Sequence, residues 1–141
     1  MSYPTILLPL FVQVGLSFVL LFWLAFLRTG ALRRREVRPE TIALRERGWP
    51  TRTEQVGNAV ANQFELPLLF YVLVILALIT RKADLLFVVM SWMFVVARIA
   101  HAFIHTGSNV VQIRGPVFGV GLTILLIMWI IFALRILFGA L

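Results

Sequence analysis

Four stretches of the chain are apolar for long enough to cross a bilayer: 6–27, 56–79, 85–105 and 117–138. A spanning helix needs roughly 20 mostly apolar residues. None of the four alternates with a period of two, as a strand facing lipid on one side and a lumen on the other must. The pattern therefore predicts an all-α integral membrane protein, one four-helix domain over residues 1–141. The connections are unequal. "RKAD" (81–84) predicts a tight hairpin. "TGSNVVQIRGP" (106–116) carries Gly107, Gly115 and Pro116, which punctuate helices. Pro116 suits the first turn of the fourth span. The long connection, 28–55, is polar and predicts a surface loop with a short helix around 39–47. No repeat, low-complexity tract or heptad pattern is present.

Composition agrees with a bilayer as solvent. The 141 residues are 61% hydrophobic and 13% charged, against about 45–50% and 25% in soluble domains. Charge then sets an orientation. The net charge is +7, and Arg28, Arg33, Arg34, Arg35, Arg38, Arg45, Arg47 and Arg52 all fall between the first two apolar runs. Beside four spans, such a tract points to topology and anionic headgroups rather than to nucleic acid. The first and third connections share one side, and their arginines, with Arg114, predict that 28–55 and 106–116 face the cytoplasm of a cell or inner membrane. No basic residue precedes the first run, and the run extends to Leu27, so it reads as a retained span rather than a cleaved signal. There is no cysteine, so disulfides and thiolate ligands are excluded. Trp23, Trp92 and Trp129 fall in or near span interiors and read as packing residues, whereas Trp49 belongs at the headgroup level.

Polar residues inside the spans carry the candidate chemistry. In the second span Asn58, Asn62 and Glu65 fall at i, i+4 and i+7; in the third, Arg98, His101 and His105 fall at i, i+3 and i+7. Each set shares a helical face. Glu65 and Arg98 both sit roughly 10–14 Å below the same surface. A charge at the centre of an inserted helix costs about 2.5–3.5 kcal/mol or more, so the two are expected within salt-bridge or one-water distance. The stripes then line a polar cavity open toward the basic side, with Arg33 and Arg114 at its mouth. Plainer readings stand beside this one. Glu65 and Arg98 would serve equally as a structural ion pair, Asn58 and Asn62 as interhelical glue, and Arg33 and Arg114 as topology signals. His101 and His105 could pair on a metal, but only Glu65 offers a third ligand, and no metal site is assigned. Pro67 is expected to kink the second span.

The ordered set "NQFE" with its following proline, "ARIAH…H", and "IRGPVF" leading into the fourth span resembles the MAPEG family, membrane-associated proteins in eicosanoid and glutathione metabolism. The resemblance covers nearly the whole chain. It implies a homotrimer of four-helix subunits that binds glutathione between neighbours near the cytoplasmic side. Asn62 and Glu65 match second-helix residues that hold the peptide, Arg33 a basic residue closing the first helix, and His101 and His105 third-helix contacts. Arg114 matches the arginine assigned to thiolate stabilisation. Arg98 borders the same set as a cosubstrate contact. Asn58 stands where well-studied members carry arginine, His105 where tyrosine is common, and Phe118 where some members carry tyrosine.

The first functional expectation is a glutathione-dependent or related thiol-dependent transferase or peroxidase acting on lipophilic electrophiles. Arginine forks suit carboxylates, Glu65 suits the ammonium, and a cation favours the thiolate over a thiol of ordinary pKa about 8.5. The alternative is a non-catalytic trimer binding a lipid, a quinone or a partner membrane protein. A channel or transporter is disfavoured, because the outer halves of the spans carry no polar path.

Overall fold

The computed structural model describes residues 1–43 and 48–139. Along the chain lie α1 (Tyr3–Arg33), α2 (Pro39–Ile42), α3 (Thr51–Asn62), α4 (Leu66–Ile79), α5 (Leu85–Thr106) and α6 (Val111–Phe138). α3 and α4 together form the second span, so four helical segments are long and apolar enough to cross a membrane. The protein is an integral, multi-pass membrane protein.

The helices outrun the apolar stretches that mark them. α1 has 31 residues, about 46 Å at 1.5 Å per residue, against a hydrocarbon core of about 30 Å. Its last turns, Arg28 to Arg33, belong to helix and not to the long connection. α3 likewise begins at Thr51 rather than near Val56. α6 begins at Val111, which shortens the expected 106–116 connection to 107–110 and puts Arg114, Gly115 and Pro116 inside the helix. Pro116 withholds one intrahelical N–H, that facing the Gln112 carbonyl; Gln112 is exposed, so water can take the freed acceptor. The expected short helix is confined to Pro39–Ile42; its continuation through 44–47, with Arg45 and Arg47, lies outside the described residues.

The second span breaks where Pro67 demands it. A proline ring clashes with the carbonyl four residues earlier, here that of Gln63. The chain responds with three successive i→i−3 bonds: Gln63 N–H to Val60 at 3.0 Å, Phe64 to Ala61 at 3.1 Å and Glu65 to Asn62 at 3.3 Å. Gln63 is buried and accepts from the Gln13 amide on α1 at 2.8 Å, which pins the break to the first helix.

On one side of the break, α4, α5 and α6 enclose Phe70, Leu73, Val74, Phe94, Val95, Leu125 and Met128, with Phe70 and Phe94 rings 4.8 Å apart. On the other, α1, α3 and α5 close over Leu20, Leu24, Val56, Ala59, Val60 and Ala102. Two helix ends turn through left-handed arginines. Arg35 and Arg81 have φ of 54° and 56°, and the following N–H groups, of Glu36 and Lys82, bond back to Ala31 and Ala77 at 3.0 and 2.9 Å. This is the Schellman arrangement, usually built on glycine.

Among the described residues, a charged contact holds the end remote from the long connection. Asp84 caps α5 by accepting from the Phe87 N–H at 2.9 Å. Arg135 of α6 donates to the same carboxylate at 2.7 Å and to the Lys82 carbonyl at 3.3 Å. The Arg135 hydrogen bond holds the Asp84 carboxyl below its usual range; burial opposes this and the Phe87 N–H assists. A depressed carboxylate pKa stabilises the fold above the unfolded value of about 3.9, and that gain vanishes as pH falls through the folded value. The Asp84 side chain is 48% exposed, so solvent screening limits the pair to a fraction of about 1 kcal/mol. The thermal midpoint in detergent is expected to fall slightly below pH 4, and Asp84→Ala to lower it at neutral pH and flatten that slope. An unchanged slope in the variant would assign the acid sensitivity elsewhere.

Candidate functional site

Arg98 is the centre of the site. It lies on the inner face of α5 and is 1% exposed. Gly121 on α6 packs beside it, and a Cβ there would make only an ordinary contact, 3.8 Å from Arg98 Cδ. The guanidinium donates to the Asn62 side-chain oxygen and, at 3.3 Å, to the Asn62 carbonyl. At the helix break that carbonyl accepts the Glu65 N–H at 3.3 Å in place of one from residue 66, and the buried cation is its second donor. Asn62 in turn donates to Glu65 Oε2 at 3.0 Å. Of the expected salt-bridge or one-water approach of Glu65 to Arg98, the salt bridge does not form among the described residues; the Asn62 side chain instead bonds to both charged groups. The reason is the break. The i, i+4, i+7 face assumed an unbroken helix, whereas Glu65 sits at the break, exposed, as the N-cap residue of α4.

Around Arg98 the cation-rich part of the site gathers. The His101 and His105 rings meet edge to face at 5.4 Å. Phe118 from α6 lies 5.6 Å from His101 and 5.9 Å from the Arg98 guanidinium carbon. His101 and His105 are buried, and their Nδ1 atoms have no hydrogen-bond partner; Arg98 Nε and Nη1 are likewise unpartnered. Arg114, half-buried near the start of α6, donates to Asn109 Oδ1 at 2.5 Å. Its charge and that of Arg98 both reach the imidazoles. Two guanidiniums and two imidazoles thus share one end of the α5–α6 pair, and among the described residues Asn62 bridges Glu65 to Arg98 by hydrogen bonds. No group of three metal-ligating side chains forms among the described residues.

The structure brings together Asn62, Glu65, Arg98, His101 and His105, with Arg114 at the edge. Arg33 is not part of the cluster: it is exposed in the last turn of α1, and no hydrogen bond ties it to the others among the described residues. Asn58 is also exposed, on α3.

A set of contacts that spacing did not reveal fixes the floor of the site. A helix C-terminus leaves its last carbonyls free. Gln55 of α3 donates to those of His105 and Gly107 at 2.8 and 3.0 Å, and Arg52 to that of Thr106. Arg52 also lies over the Trp23 ring, 4.8 Å from its centroid, and Arg28 over Trp49 at 5.0 Å. The signals in the sequence were faint: Gln13 is the one amide in the apolar run of α1, and Gln55 merely follows a run of charged and polar residues. Between α5 and α6, on their outer side, runs an apolar groove lined by Trp92, Met93, Val96, Ala100, Val117 and Val120.

No curated protein and no solved structure matches the chain. A sequence model described as the MAPEG family matches residues 6–134. That span takes in all four membrane segments, the break before Pro67, and every residue of the cluster, and on it the chain belongs to the MAPEG family.

Proposed function

We propose that this protein is a membrane thiol transferase that uses glutathione, or a closely related thiol, against lipophilic electrophiles. One observation carries the reading. A guanidinium that is 1% exposed keeps two donors unpartnered, beside two buried imidazoles and within reach of a second arginine. A buried unpaired cation is expensive, and an anionic ligand is the chemistry that would relieve it. Glutathione brings two carboxylates, an ammonium and a thiol. Arg98, His101, His105 and Asn62 would take the carboxylates and peptide, Glu65 the ammonium, and Arg114 would favour the thiolate. Arg33 would reach such a site only from a neighbouring copy.

Assembly follows from the same reasoning. Glu65 is exposed on a single chain at a depth where lipid has no partner to offer, and Asn58 is exposed on the helix leading to it. A homotrimer, the arrangement the family resemblance implies, would cover them. The arginine-rich connection supports a cytoplasmic location for this end of the molecule. The α5–α6 groove is suited to an apolar acceptor arriving from the membrane.

For an activated chloroarene the chemistry closes simply. The glutathione thiol gives its proton to water, the thiolate forms a C–S bond, and chloride leaves with the electron pair. Purified protein in detergent is expected to release chloride in proportion to glutathione, at a rate above the spontaneous reaction. Absence of any thiol-dependent rate, with a lipid or quinone retained through purification, would favour the non-catalytic reading. That reading draws on Asn58, which offers no guanidinium for a second carboxylate clamp.

A further inference from the structure

We propose that Asn109 is the positioning residue for Arg114: its backbone builds the α5–α6 turn and its side chain holds the arginine that faces the thiol. The inference rests on the proposed function for its consequence, but not for its geometry. Asn109 has φ of +52°, a region that asparagine tolerates better than most residues other than glycine. Its N–H closes the end of α5 on the Ile104 carbonyl at 2.7 Å. Its Oδ1 accepts from Arg114 Nη1 at 2.5 Å, and the Arg114 side chain has no other hydrogen bond among the described residues. A free arginine at a membrane surface would extend its head into water and headgroups and keep most of its rotamers. The bond to Asn109 removes that freedom while leaving Arg114 Nε and Nη2 available to a ligand.

The turn that carries Asn109 is itself immobilised. Gln55 grips the His105 and Gly107 carbonyls, and Arg52 that of Thr106. Gly107 admits no side chain, because a Cβ would stand 2.8 Å from the Phe103 carbonyl oxygen. Asn109 therefore transmits to Arg114 a position fixed by α3 and α5. An arginine held this way presents a fixed charge to a thiolate, and preorganised charge is what stabilises a developing anion.

Glycine separates the two roles of Asn109, since it keeps the left-handed backbone and deletes the amide. Three measurements on the full-length protein in detergent test the proposal: the thermal midpoint, rotation of the Arg114 Nη groups by 15N NMR, and the pH midpoint of thiolate absorbance for bound glutathione. Asn109→Gly is expected to leave the thermal midpoint nearly unchanged, to free the Nη rotation, and to move the thiolate midpoint upward. Activity below that midpoint should fall about tenfold for each unit moved. Asn109→Asp, which keeps an acceptor oxygen, should restore slow rotation. The other charged and titratable groups at the site, Arg98, His101 and His105 on α5 and Glu65 at the break, are untouched in these variants. Unchanged Nη rotation in Asn109→Gly would overturn the proposal. So would an unchanged thiolate midpoint in that variant when Arg114→Ala raises it. If Arg114→Ala leaves the midpoint alone while Asn109→Gly frees the rotation, Asn109 still holds Arg114, and the thiolate role of Arg114 is what fails.

Discussion

Arg114→Ala is expected to lower kcat/KM for glutathione addition to an activated chloroarene by about 10²–10³, the usual loss when one preorganised donor to a developing anion is removed. The reason is local. Arg114 is half-buried and held at 2.5 Å by Asn109, so on the proposed function its charge would already be in place for an incoming thiol. The loss should be in kcat rather than in KM, because Asn62, Glu65, Arg98 and the two histidines would still hold the peptide. Stability should barely change, since the side chain fills no core position and makes a single hydrogen bond. Arg114→Lys should recover part of the rate, keeping the charge without the fork that lets one nitrogen hold Asn109 while others face the ligand. Equal rates for the wild type and Arg114→Ala would remove Arg114 from the chemistry.

Arg98→Met is expected to have the opposite balance: a higher thermal midpoint without ligand, and no stabilisation by glutathione. In the free chain Arg98 satisfies Asn62 but leaves Nε and Nη1 unpartnered at 1% exposure. The effective penalty for an uncompensated buried ion is several kcal/mol. The bond from Nη2 to the Asn62 side-chain oxygen returns about 1.5–3 kcal/mol for a charged donor, the longer 3.3 Å contact to the carbonyl adds less, and Nε and Nη1 return nothing to offset their burial. Methionine keeps most of the volume between Gly121 and Phe118 and removes the charge, so the ligand-free protein gains. Arg98→Ala should instead destabilise, by about 2–5 kcal/mol, through the cavity it opens. A lower midpoint for Arg98→Met than for the wild type would mean that the guanidinium is a structural link to the break and not a site awaiting an anion.

Legibility differed by physical scale. The four spans could be read from the sequence because bilayer thickness sets the length of an apolar run. Their ends could not, because Arg28 to Arg33, Thr51 to Gln55 and Val111 to Pro116 continue as helix into water, where apolar character says nothing. Pro67 announced the kink, but not what the kink does. Periodicity places Asn62 and Glu65 on a face by assuming that the helix continues, and the proline breaks that assumption between them. The bond from Arg98 to the Asn62 carbonyl, which also accepts the Glu65 N–H, is a contact between separate helices that no spacing rule encodes. The same holds for the Gln13–Gln63 bond across the break and for the Asn109 turn. A left-handed backbone angle there is fixed by packing at the α3, α5 and α6 ends, and the sequence offers only an asparagine in a short loop.

On the proposed function, the buried, under-partnered cationic cluster between α5 and α6 receives an anionic thiol. The most direct measurement is the thermal midpoint of the purified protein in detergent across a glutathione series. A ligand that binds only the folded state stabilises it by RT ln(1 + [L]/Kd). The midpoint should therefore climb with the logarithm of glutathione concentration above Kd, in the wild type and in Arg114→Ala but not in Arg98→Met. A midpoint indifferent to glutathione at every concentration, in a protein that stays folded and monodisperse, would contradict that reading.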